Sequence, residues 1–126
     1  MEQKHFFTSL KETRFNDERI KEIEHIYHHE LPEIVKRIVS SNDQSVLIEP
    51  GKRLLSYAEI KNADEWLETD FQGLQMIPVF DFYDNDFLVY CFNTDTWGLF
   101  NIIEGVLFDE KYDERFFCWR VILKIK

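Results

Sequence analysis

"QMIPVFDFYDNDFLVYCFN", residues 75–93, holds two apolar and aromatic runs on either side of Asp84-Asn85-Asp86. Val, Ile, Phe and Tyr suit pleated strands, while Asp and Asn tolerate turn geometry, so the stretch predicts a β-hairpin. Its runs are almost continuously apolar, which predicts strands covered on both faces. Downstream, "TWGLFNIIEGVLF" (96–108) reads as one or two further strands, with Gly98 and Gly105 marking a bend or bulge. The tail "RFFCWRVILKIK" (115–126) has strand composition, yet Phe116, Trp119 and Leu123 also sit at helical spacing, so both readings stay open.

Upstream of the hairpin the pattern is helical. Asn16 and Asp17 are good N-caps, and Glu18 suits the positive end of the helix dipole. Ile20, Ile23 and Tyr27 then recur at helical spacing, with Ile26 beside them. Pro32 fits the first turn of a second helix, where its missing N–H has no partner to lose. It also biases Leu31 away from helical geometry, so the first helix should end near Glu30. Leu31, Ile34, Val35 and Ile38 supply the second apolar face, and "SSND" (40–43) closes it. "VLIEPG" (46–51) reads as a short strand stopped by Pro50 and Gly51. Ser56 and Glu59 form an S-x-x-E capping box, opening a helix that buries Tyr57, Ile60, Ala63 and Leu67, with Trp66 flanking. The expectation is one α+β domain spanning 1–126: N-terminal helices packed on a central, mostly antiparallel sheet. Residues 1–15 are expected to be an N-terminal arm or an extra helix.

The 126 residues are 44% hydrophobic and include 12 Phe, enough to bury a core without covalent staples. Cys91 and Cys118 both sit among apolar neighbours, which points to buried thiols in a reducing compartment. The opening "MEQKHFFTSLKETRF" has no long apolar run, and no stretch approaches the ~18 uncharged residues of a bilayer span. A soluble, cytoplasmic protein is expected.

Charge is distributed unevenly along the chain, whose net is −9. Residues 1–62 nearly balance, with 10 basic and 11 acidic side chains; residues 63–126 carry 5 and 13. Between Lys61 and Lys111 there is no Lys or Arg at all, and eleven carboxylates. A field of one sign repels nucleic acid and anionic membrane and steers cationic partners inward.

Chemical motifs are few. "EHIYHHELPEI" (24–34) puts His25, His28 and His29 close together, and His25 and His29 are spaced to share a helical face. Ile26 stands where a zinc protease needs glutamate, and the helix break before Pro32 explains histidines in a last turn through the helix dipole. No metal site is expected there. "DFYDND" lacks the ligand alternation and the glycine of a calcium loop. Paired carboxylates of the glycosidase kind are available in number, but nothing selects one pair. Nucleophile elbows, phosphate-binding glycine loops and Cys-x-x-Cys motifs do not occur. Neither catalysis nor a cofactor is expected.

In order, "IKEIEHIYHHELP", "EIVKRIV", "LLSYAEIKNADEWL", "MIPVFDFYDNDFLVYCFN" and "WGLFNI" resemble the SUKH superfamily over roughly residues 16–110. That superfamily includes bacterial immunity proteins and fungal regulators of cell-wall synthesis. The firmest points are Glu30-Leu31-Pro32, Leu54-Leu55-Ser56 with Glu59-Ile60, and Ile77-Pro78-Val79 leading into Asp86-Phe87-Leu88. Two features depart from the pattern: "SSNDQS" replaces a glycine-containing loop, and the usual C-terminal helix falls on the ambiguous tail. The resemblance implies an α+β fold, no catalysis, and binding that neutralises a toxin, often a nuclease. Such toxins are cationic because they hold phosphate backbones, so an acidic inhibitor gains encounter rate. The expected contact residues are Asp84, Asn85 and Asp86 at the hairpin tip, with Asp64, Glu65, Glu68, Asp70 and Asp95 around them. An intracellular protein-binding scaffold, as in the fungal branch, is the alternative, and an enzyme using carboxylates or the His25/His29 pair is a third.

Overall fold

The computed structural model describes residues 13–49, 52–82 and 84–108, with the side chains of 48, 49, 52 and 108 excepted. The readings made for the tail, for Cys118 and for residues 1–12 lie outside this set. The α+β architecture is as expected: two helices come first, and among the described residues a six-stranded antiparallel sheet follows with its strands in chain order, three short helices intervening after the second strand.

Helix α1, Asp17–Tyr27, starts where Asn16 accepts a hydrogen bond from the Arg19 amide, and it buries Ile20, Ile23 and Tyr27. It ends earlier than the proline suggested, because His28 adopts a left-handed conformation (φ 62°). The Glu24 carboxylate then accepts from the Leu31 amide at 2.8 Å, which fixes the chain's exit. Helix α2, Glu33–Ser41, buries Val35, Ile38 and Val39. Pro32 is its extended N-cap (ψ 160°) rather than its first helical residue. Ser40 accepts from the Asn16 amide and Arg19 donates to the Val39 carbonyl, so the two helices are pinned together at one end.

Strands β1 (Val46–Glu49) and β2 (Lys52–Leu54) pair with each other; the second was not evident in the sequence. The capping box forms as expected, with Ser56 and Glu59 satisfying each other's backbone amides. The single helix expected from it is instead three short ones: α3 (Tyr57–Lys61), α4 (Ala63–Trp66) and α5 (Phe71–Leu74). Asn62 breaks the first from the second, and Glu68 in the left-handed region (φ 50°) turns the chain before the third.

The hairpin is present as β3 (Met76–Asp81) and β4 (Asp86–Cys91), buried on both faces. Asp84 and Asn85 take consecutive left-handed conformations in its turn (φ 53° and 67°), a geometry these two residue types tolerate. Val79 is an extra residue in β3, next to Pro78, where a missing amide is easiest to place. Strands β5 (Thr96–Asn101) and β6 (Val106–Phe108) follow. Gly98 makes no bulge: it sits in regular register opposite Val89. Gly105 does turn the chain, with φ 67°.

The helices reach the sheet through aromatic edges. Phe71 of α5 meets Phe100, and Trp66 of α4 meets Phe87, the cross-strand partner of Phe100. Tyr27 ties α1 to α3 by donating to the Ile60 carbonyl at 2.8 Å, and burial pushes its phenol pKa well up. One buried cluster runs from Ile20 to Phe100, with Trp97 and Tyr27 among its largest members, and Cys91 lies in it.

Candidate functional site: the tip of the sheet

At one end of the sheet the β3–β4 and β5–β6 turns lie side by side and are tied together by Asn101. Its side-chain amide donates to the Asp86 carboxylate (2.8 Å) and the Asp84 carbonyl (3.4 Å). Its side-chain oxygen accepts from the amides of Ile103 (3.0 Å) and Glu104 (2.9 Å), and its carbonyl accepts from Gly105 (2.8 Å). The Ile102 amide closes the link by donating to the Asn85 carbonyl at 2.9 Å. Two turns thereby become one fixed tip, presenting Asp84, Asn85, Ile103 and Glu104 to solvent.

Of the eight expected contact residues, Asp95 lies away from that tip. Asp84 and Asn85 are exposed on it, and Asp86 is half-buried against Asn101. Asp95 lies in the β4–β5 turn, at the other end of β4, about 17 Å away along a six-residue strand. There it accepts from the Tyr90 hydroxyl. Asp64 points inward and accepts from the amides of Phe71 (2.9 Å) and Gln72 (3.4 Å), and burial raises its pKa above the usual range despite those bonds. Asp70 caps α5 through the Gly73 amide. Glu65 and Glu68 are exposed. Asp95 therefore stands apart from the tip, and two other members of the expected ring, Asp64 and Asp70, hold short helices in place.

The sequence reading missed Ile103 and Glu104. Ile103 is 72% exposed, the most open of the large hydrophobic residues described, and Val106 at the start of β6 is 38% exposed. By composition "NIIEG" reads as strand continuing to a bend. The signal was in the pair Asn101 and Gly105, an Asn that can cap a turn and a Gly that can end it, four residues apart.

Nine carboxylates belong to the described residues between 63 and 108, and only Asp81 has a cation partner among described residues, namely Arg53 at 3.1 Å. Basic side chains gather elsewhere, on α1 to α3. Arg19 pairs with Asp43, and Lys61 with Glu22 at 3.0 Å. A cavity of about 720 Å³ along α1 is lined by residues of both signs, including Glu18, Arg19, Lys21 and Glu22, so it favours no one ion. The histidines are dispersed: His29 stacks on Phe92 with centroids 4.4 Å apart and meets Gln75 at 3.1 Å, while the His25 and His28 rings are 6.5 Å apart. Among the described residues no three His, Cys, Asp or Glu side chains are grouped as metal ligands, and no helix is long and apolar enough to cross a membrane.

No family model, curated protein or solved structure matches the chain.

Proposed function

We propose that this protein is a SUKH-type immunity protein: a non-catalytic, cytoplasmic inhibitor that binds a cationic toxin domain, most simply a nuclease, through the acidic tip of its sheet. The observation that carries the reading is that Asp84 and Glu104 stand on a fixed tip and, among the described residues, make no ion pair with Lys or Arg. Toward the helices, by contrast, Asp43, Glu59 and Glu22 are matched by Arg19, Arg53 and Lys61. Unmatched surface acids raise the association rate with a basic partner and add selectivity against other partners. The order of helices and strands supports the same reading through the resemblance set out above.

Asp86 is a poor position to reverse, because its carboxylate holds Asn101. Asp84→Lys with Glu104→Lys reverses two exposed charges. Asp84→Asn with Glu104→Gln, which keeps at 84 a residue type suited to its left-handed backbone (φ 53°), separates loss of charge from strain in the turn. Indicator cells expressing the chain should survive challenge by at least one competing strain that kills cells lacking it, and the double reversal should abolish that survival. Equal killing with and without the chain across a panel of strains related to its source would refute the reading. If the partners recovered instead belong to envelope synthesis in the same cell, the scaffold alternative takes its place.

A further inference from the structure

We infer that Ile103 is the anchor of the tip, inserting into an apolar recess on a partner surface that is otherwise basic. This deepens the reading above by naming what the partner must present. Ile103 stands 72% exposed although a polar residue would serve a turn better, and both its own amide and that of Glu104 are held by the Asn101 side chain. Val106, three residues on at the start of β6, is a second exposed apolar side chain, and Asp84, Asn85 and Glu104 on the same two tied turns supply acceptors and charge. A small apolar centre inside a polar, charged rim is the form that energetic anchors of interfaces take. Because the turns are already tied together, little ordering remains to oppose binding. The occupant that fits is a protein face with Lys and Arg around an apolar depression. A nucleic acid offers the wrong charge, and a neutral apolar surface would leave the carboxylates desolvated without partners.

Anchor and rim act on different rates. Rim charges govern association and its salt dependence, whereas a buried apolar contact governs dissociation. The test uses random peptides displayed on phage, panned against the full-length chain. Selected peptides should combine at least two Lys or Arg with a bulky apolar residue. Ile103→Ser should weaken them at least tenfold, through faster dissociation that added salt does not change. Asp84→Asn with Glu104→Gln should slow association and flatten its salt dependence. Leu47→Ser removes a comparably exposed side chain (57%) from β1, at the opposite edge of the sheet, and should leave binding unaltered. Failure to select binders, or binders indifferent to Ile103→Ser while its melting temperature is retained, would overturn the anchor. Peptide binding through Ile103 in a protein that protects no cell would retain the anchor and reject immunity. Protection that survives Ile103→Ser would do the reverse.

Discussion

Asn101 shows how one side chain can set the geometry of a surface. It satisfies two amides of its own turn and one carboxylate of the neighbouring turn, so its removal leaves several polar groups without partners. Asn101→Ala should cost about 1–2 kcal/mol, read from urea unfolding. Amide exchange should accelerate at Ile103 and Glu104 first; uniform acceleration across the sheet would contradict a local role. A second polar link joins α1 to α3, where Glu22 accepts from the Tyr57 hydroxyl and meets Lys61. The Tyr57 hydrogen bond, then Lys61, hold the Glu22 carboxyl below its ordinary value of 4.5, while burial and then Glu22 push the Tyr57 phenol up to about 12. A depressed carboxylate stabilises the fold above its unfolded pKa and loses that contribution as pH falls through its folded one. The melting-temperature difference between the native chain and Glu22→Gln should therefore shrink below pH 4.5. A difference constant from pH 7 to pH 3 would show that the carboxylate is not held by these partners.

At the scale of elements, short helices survive through their ends. Helices α4 and α5 have four residues each, far below what propensity can sustain, so side-chain caps and packing must hold them. Asp64→Ala should destabilise the protein by about 1 kcal/mol, and Asp64→Asn by less, because an amide oxygen can still accept from Phe71. Equal losses for the two would assign the effect to the charge alone. The same elements show what the sequence could express. Periodicity and caps were enough for α1, α2, the capping box and the hairpin, since each rests on residues close in the chain. Helix α5 and strand β2 were not legible. The former depends on Asp64 reaching across to Phe71, and the latter on Leu54 and Arg53 pairing with Phe80 and Asp81, contacts between distant residues. The acidic run was visible as composition, but composition cannot show that Asp95 ends up far from Asp84 or that Asp64 turns inward. Ile103 was hidden because an isoleucine among apolar neighbours reads as core.

Over the whole molecule, the charged and apolar parts are separated: one continuous core joins helices to sheet, and carboxylates crowd the loops of the sheet. The core should respond as a unit. Trp97 is fully buried on β5, and Trp97→Ala should cost about 3–5 kcal/mol with a lower midpoint for helix and sheet signals together. Separate transitions for the two would mean that they do not share a core. The surface should respond to salt. Most direct is an affinity capture: immobilised native chain and its Asp84→Lys, Glu104→Lys variant are exposed to lysates of the source species and of competing strains at low ionic strength. The bound protein is released by a salt step and identified by mass spectrometry. The account predicts one basic protein carrying a toxic domain, held by the native chain, released by salt and absent from the variant. An empty capture, or the same proteins on both chains, would contradict it.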